Sequence, residues 1–119
     1  MAAPNIFNPT TCTLSNAFLA LTTSAAAIVS NASSSGTVVR IVSLMVSNVT
    51  SSLVTVTADV YSGGTVQANL ACGLSVPVGA TIVLLSKDSP LHLTEGQSLR
   101  LTASANNSLQ AVANHEVIS

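Results

Sequence analysis

Hydrophobic and polar residues alternate with a period of two along most of the chain. The clearest case follows Gly96, where Leu99, Leu101 and Ala103 are separated by single polar residues. This alternation is typical of a β-strand with one face covered by a core. Together with the apolar residues before the glycine, it predicts a strand, a tight turn and a second strand over residues 90–103.

Similar patterns predict further strands on both sides of this pair, separated by polar or glycine-rich loops. These strands are residues 13–22, 26–30, 37–49, 53–62, 65–72, 80–86 and 109–117. In residues 37–49 and 80–86 both alternating sets are apolar. We therefore expect the strand at 37–49 to be covered on both faces, by the core on one side and by another element or subunit on the other.

Keeping apolar residues on one face also predicts how neighbouring strands pair. Residues directly opposite in an antiparallel pair share a face, so we expect Val60 to oppose Val66 across a three-residue loop, 62–64. By the same reasoning we expect Ala103 to oppose Ala111. A two-residue turn at the first loop would place Gln67 in the core.

Short strands, frequent turns and the absence of an amphipathic helix predict an all-β fold. The expected architecture is a single antiparallel β-sandwich or jelly-roll-like domain with an extended N-terminal arm. Residues 1–24 would form the arm and the first strand, and residues 25–119 the β-sandwich domain. The first residues hold two prolines and no periodicity. We expect Phe7 to anchor this arm on a neighbour, because free termini are seldom ordered.

Charge is the unusual feature of the composition. Only 6% of the 119 residues are charged, against an average share of about 25%, and the net charge is −1. Such a protein has little electrostatic repulsion to keep copies apart, so we expect partners to cover its surface. Three basic residues cannot neutralise a run of phosphates, which argues against binding to nucleic acid or to anionic membranes.

No group of residues predicts chemistry. His92 and His115 fall on different predicted faces, with His115 expected inside, opposite Leu99. The four carboxylates are dispersed, which argues against acid–base catalysis and metal binding. Cys12 and Cys72 form no metal or redox motif, and we expect them to be small buried side chains with reduced thiols. We therefore predict a protein that is not an enzyme and has no cofactor.

Two further patterns concern the cellular compartment. The apolar segment 17–29 has no basic residue before it, which argues against a secretory signal peptide and favours synthesis in the cytoplasm. Asn31-Ala32-Ser33 and Asn48-Val49-Thr50 match the N-glycosylation pattern. Without a secretory route we interpret both matches as accidental.

Three segments of the chain resemble small β-sandwich virion proteins of tailed bacteriophages. They are VVRIVSLMVSN (38–48), VPVGA (76–80) and LTEGQSLRLTASA (93–105), and the resemblance covers residues 37–117. It implies a virion structural protein made in the host cytoplasm, most simply a capsid decoration (cement) protein. It further implies a homo-oligomer, expected to be a trimer, that binds the major capsid protein or other virion proteins.

With this role, the arm and the outer apolar side chains would contact neighbours. The predicted partner-binding residues are Phe7, Val39, Ile41, Met45, Val83 and Leu85. Two alternatives stay open. A neck, tail or fibre component differs from a decoration protein in its location, and a carbohydrate-binding module would need exposed aromatic rings, for which Tyr61 is the candidate on an outer strand face.

We predict that deleting residues 1–11 leaves a folded domain but weakens incorporation into the particle, because the arm is expected to contact neighbours and not the core. Circular dichroism checks the fold, and sedimentation with particles checks incorporation. Normal incorporation of the truncated protein would contradict the role given to the arm.

Overall fold

The computed structural model describes residues 11–86, 88 and 91–119. This part of the chain forms nine strands and no helix. The strands are β1 (Cys12–Ala20), β2 (Ala26–Ser30), β3 (Val38–Asn48), β4 (Val54–Ser62), β5 (Thr65–Val76), β6 (Thr81–Leu85), β7 (Leu91–Leu93), β8 (Gln97–Ala103) and β9 (Leu109–Ile118). Most of the predicted arm, with Phe7, lies outside the described residues. No described residue belongs to a helix that could cross a bilayer.

The strands form two antiparallel sheets. The first has the order β1-β9-β3-β6, with β7 also paired to β3, and the second has the order β2-β8-β4-β5. The chain passes from one sheet to the other at most of its loops, as it does in a jelly roll. This arrangement confirms the predicted all-β, antiparallel β-sandwich fold.

The core that the described residues form lies between the sheets and is entirely aliphatic. Its largest fully buried side chains include Ile41, Leu44, Leu99, Leu101 and Leu109. Each such side chain contributes about 1.5–3 kcal/mol by leaving water. Among the described residues the core thus reflects the composition, which is 48% hydrophobic but only 3% aromatic.

A register shift in β3 explains why both of its alternating sets of residues contain large apolar side chains. Ile41 points into the core, and the register against β9 then shifts between Ile41 and Ser43. One extra residue at a β-bulge moves every later side chain to the opposite face. Leu44 and Val46 therefore also point inward. The bulge therefore accounts for part of the double apolar pattern, which strict alternation interprets as two covered faces.

The β4–β5 hairpin differs from the prediction in its turn. Ser62 pairs with Thr65, so the turn has two residues, Gly63 and Gly64, with φ angles of 62° and 82°. Both angles lie in the left-handed region that favours glycine, as in a type I′ turn. Tyr61 pairs with Val66, and the register then shifts. Because of this shift, a two-residue turn does not place Gln67 in the core, and its side chain is exposed.

β5 itself is exposed along most of its length, contrary to the prediction. Val66, Leu70 and Leu74 are 46%, 37% and 42% exposed. The strand lies at the edge of the second sheet, and its pairing with β4 is interrupted by three register shifts. An alternating sequence therefore does not by itself place a strand over the core.

Ala103 and Ala111 do not pair, although both are buried. β8 belongs to the second sheet and β9 to the first, so these residues lie in opposite layers of the sandwich. The same correction applies to the strand pair at residues 90–103, where β7 pairs with β3 and β8 pairs with β2 and β4. Periodicity identifies the strands but does not distinguish a hairpin from a loop that crosses between sheets.

Two buried asparagines hold the loops at the ends of the strands. The Asn48 amide nitrogen donates to the carbonyl oxygens of Ser52, at 2.7 Å, and Val76, at 2.9 Å. Its amide oxygen accepts from the backbone N–H and the hydroxyl of Thr50. Asn31 is equally buried and donates to the carbonyls of Thr37 and Leu93. These are the asparagines of the two glycosylation-like patterns.

We expect Asn48→Ala to lower the free energy of unfolding by about 1–3 kcal/mol, because buried carbonyl groups lose their donor. Urea unfolding measures the change. The control is Asn69→Ala on β5, whose side chain is exposed and whose replacement should change stability by less than about 0.5 kcal/mol. Equal effects of the two substitutions would contradict the structural role of Asn48.

Candidate assembly surface

The structure separates the predicted partner-binding residues into two groups. Val39, Ile41 and Leu85 are 4%, 0% and 8% exposed and belong to the core, so their predicted outer position is wrong. Two register shifts turn these side chains inward, one in β3 where it pairs with β9 and one in β6 where it pairs with β3. Phe7 lies outside the described residues, so its role stays a prediction.

Met45 and Val83 lie on the outer face of the first sheet. They are paired across β3 and β6, and Met45 also pairs with Val112 on β9, which in turn pairs with Phe18 on β1. Phe18, Val112, Met45 and Val83 therefore form one apolar row across the whole sheet, perpendicular to its strands. Phe18 is 74% exposed and Val83 58%, while the two central residues are half-buried.

Polar side chains lie on both sides of the apolar row. On one side Asn114 of β9 donates to the Ser43 hydroxyl of β3 at 2.7 Å, and Asn16 of β1 pairs with Asn114. On the other side Gln110 pairs with Ser47. The surface is thus a narrow apolar stripe between uncharged hydrogen-bonding groups, which resembles the composition of an interface core with a polar rim.

Arg40 and Glu116 form a cross-strand ion pair on this face. The hydrogen bond from Arg40 holds the pKa of Glu116 below its ordinary value. The Cys12 thiol lies 3.5 Å from the Glu116 carboxylate. Partial desolvation, together with this carboxylate, raises the pKa of Cys12.

A second ion pair lies on the outer face of the other sheet. Arg100 Nε donates to Asp59 Oδ1 at 3.0 Å, and Asp59 is only 4% exposed. The Arg100 guanidinium also lies 3.8 Å from the centre of the Tyr61 ring, a cation–π contact. One face of Tyr61 is therefore already occupied, which weakens its candidacy for stacking on a sugar.

These two pairs use four of the seven charged residues. Opposite charges held in contact produce little field at a distance, because their contributions cancel. The outer faces of both sheets are consequently close to neutral. A partner would be recognised by shape and by apolar contact, with little long-range attraction.

The two histidines lie on different strands of the first sheet, His92 on β7 and His115 on β9. His92 is exposed and pairs with Arg40, while His115 pairs with Ile41 in the adjacent row. His115 is thus on the opposite face from His92, as predicted, but it does not oppose Leu99, which lies in the other sheet. Among the described residues no three His, Cys, Asp or Glu side chains lie close enough to hold a metal ion.

An open depression of about 320 Å³ lies beside the apolar row, between β1 and β9. Its lining contains no acid, base or thiol. The lining residues are Phe18, Leu19, Ala20, Gln110, Ala111 and Val112. Such a surface can take up an apolar side chain of a partner, but it offers no group for proton transfer or nucleophilic attack.

Sequence reasoning missed two features of this surface. Cys12 and Cys72 are both exposed, so the prediction that they are buried is wrong. Phe18 is an exposed aromatic residue on an outer strand face, where only Tyr61 was expected. In β1 every second residue faces outward, and Leu14 and Phe18 share that face, so a strict period-two reading of residues 12–20 would have found them.

Comparisons with known proteins support the fold of this chain but do not assign it to a family. No family model matches the sequence, and no curated protein matches it. A similar solved structure is a chain from work described as "Bacillus endospore appendages form a novel family of disulfide-linked pili". The TM-score is 0.55 at 13% identity, over 92% of this chain and 87% of that chain. The two chains therefore share a β-sandwich fold.

We predict that Glu116→Gln makes stability less sensitive to acid. Because the folded-state pKa of Glu116 is depressed, its contribution is present above the ordinary pKa of 4.5 and is lost as the pH falls through the lower folded value. Urea unfolding at several pH values should give a shallower decline below this pH for the variant than for the unmodified protein.

The control for this prediction is Glu95→Gln, since Glu95 forms no ion pair with a described residue. The stability of the Glu95→Gln variant should fall with acid as steeply as that of the unmodified protein. If Glu116→Gln declines as steeply as the unmodified protein, the pair with Arg40 does not stabilise the fold.

Proposed function

We propose that this chain is a non-enzymatic structural subunit of a virion, a decoration protein that binds the outside of a tailed-phage head. The observation that carries the proposal is the apolar row of Phe18, Val112, Met45 and Val83, on a sheet face where Arg40 and Glu116 are held in an ion pair. The resemblance of residues 37–117 to phage virion proteins supplies the setting. The major capsid protein is then the expected partner.

The chemistry of the surface supports binding over catalysis. Both outer faces hold their charges in ion pairs, and the depression beside the apolar row has no reactive group. A neutral stripe binds weakly as a single copy, because only a few side chains leave water. Decoration of a head involves many identical sites, and a subunit that contacts its neighbours as well as the head gains from each additional contact.

Val83→Lys tests which surface binds the head. Lysine at an apolar contact must lose part of its hydration, so we expect at least about tenfold weaker binding. Heads from a phage lacking the chain are incubated with purified protein and sedimented, and the bound fraction is measured. Leu74→Lys, at a 42% exposed position of the second sheet, is the matched control and should bind normally.

Failure of the unmodified protein to bind the heads would refute decoration. Equal binding by the two lysine variants would instead refute the assigned surface. Quantitative mass spectrometry of purified virions separates decoration from a neck or tail position: a decoration protein approaches the copy number of the major capsid protein, whereas a neck component is present as one small ring.

A fibre or pilus-type subunit is the second candidate function. It is favoured by the similarity to the chain from the Bacillus endospore appendage work, whose description names disulfide-linked pili. Exposed Cys12 and Cys72 are compatible with links between subunits. Electron microscopy of concentrated protein under oxidising conditions distinguishes the candidates, since a fibre subunit forms filaments and a decoration protein does not.

A further inference from the structure

β1 is an edge strand of the first sheet as the described residues form it. It pairs with β9 on one side, without a register shift from Cys12 to Ala20, and no described strand pairs with its other side. The strand contains no charged residue and no proline. Charges, prolines and bulges are the devices that normally prevent an edge strand from pairing with another chain, and β1 has none of them.

The other edges are interrupted or short. β5 is long, but three register shifts and Gly73 break its regularity. β2 has five residues and a register shift, and the opposite edge of the first sheet is divided between β6 and β7. β1 is therefore the edge best suited to accept a further strand.

The hydrogen-bond pattern determines which backbone groups β1 offers. Thr11 and Ser119 exchange two backbone hydrogen bonds, and Leu21 N–H donates to the Leu109 carbonyl. Odd-numbered residues of β1 therefore face β9. Because the N–H and C=O groups of successive residues point to opposite sides of a strand, the even-numbered residues face the open edge. They are Cys12, Leu14, Asn16, Phe18 and Ala20.

We propose that β1 pairs antiparallel with β1 of a second copy, about a two-fold axis at Asn16. Only even-numbered residues of β1 can form hydrogen-bonded pairs in this contact. The register centred on Asn16 pairs all five of them, which gives about ten backbone hydrogen bonds. The two first sheets then form one continuous sheet. The contact is isologous and closes on itself.

The side chains of β1 match this register. Leu14 and Phe18, 67% and 74% exposed, face each other in both halves of the contact. Cys12 faces Ala20, and Asn16 faces its own copy, where the two amides can pair. An acidic or basic partner strand would find no opposite charge on β1. A second copy places an aliphatic side chain against each exposed ring, a favourable cross-strand pair.

The inference does not rest on decoration of a head, because it concerns the free protein. The proposed two-fold contact gives a dimer, whereas the resemblance to phage virion proteins implies a trimer. The Val83 end of the apolar row lies on β6, at the opposite edge of the sheet, so variants at Val83 and at Asn16 report on different contacts.

Charge reversal at the two-fold axis tests the proposal. Asn16→Lys and Asn16→Glu each place like charges directly opposite one another, so each variant alone should dimerise at least about tenfold more weakly than the unmodified protein. An equimolar mixture should recover the dimer as a Lys–Glu heterodimer. Analytical ultracentrifugation distinguishes the 11.9 kDa chain from its dimer. Val83→Lys is the control and should remain dimeric.

A cross-link tests the register independently. Opposed residues of a hydrogen-bonded pair have Cα atoms about 5.5 Å apart, within the range of a disulfide. Asn16→Cys in a Cys12→Ser, Cys72→Ser background should give a covalent dimer with oxidised glutathione, and Thr81→Cys in that background should not. A monomeric or trimeric unmodified protein at about 100 µM, or a mixture that fails to recover the dimer, would overturn the proposal.

Discussion

The register shift in β3 determines which residues of this protein form the core and which form the surface. β3 pairs with β9 on one side and with β6 and β7 on the other, so it is central to the first sheet. Ile41 before the shift and Leu44 after it both point inward. Without the extra residue, one half of the strand would turn its large side chains to solvent, and Met45 would leave the outer face, where it completes the apolar row.

The surface follows from the scarcity of charge. Two cross-strand ion pairs, Arg40–Glu116 and Arg100–Asp59, hold four of the seven charged residues on opposite outer faces. The side chains that remain exposed are mainly hydroxyl, amide or apolar ones. Such a surface has few charges with which to repel a copy of itself.

The sequence predicted the strands well and their partners poorly. The all-β class and the span of β2, Ala26–Ser30, could be predicted because alternation reports which face of a strand is covered. Alternation does not say which sheet a strand joins, so Ala103 and Ala111 were paired in error. It also fails at bulges, which misplaced Val39 and Ile41.

Alternation of apolar and polar residues predicts only part of the candidate surface. Met45 and Val83 were identified as outer residues, yet their link to Phe18 through Val112 depends on non-local pairing of four strands. A single sequence contains no direct record of that pairing. The exposed cysteines were misjudged for a related reason, since both lie on edge strands whose position in the sheets was not known.

The buried asparagines have a practical consequence for producing the protein. Asn31 and Asn48 each lie in a sequence that eukaryotic oligosaccharyltransferases accept, yet each is only 3% exposed and uses its amide nitrogen to hold two carbonyl groups. A sugar attached to that nitrogen in the endoplasmic reticulum would precede folding and leave no room for the loops to close. A chain glycosylated at either site during secretion would thus lose contacts that hold its loops, whereas the bacterial cytoplasm adds no such sugar.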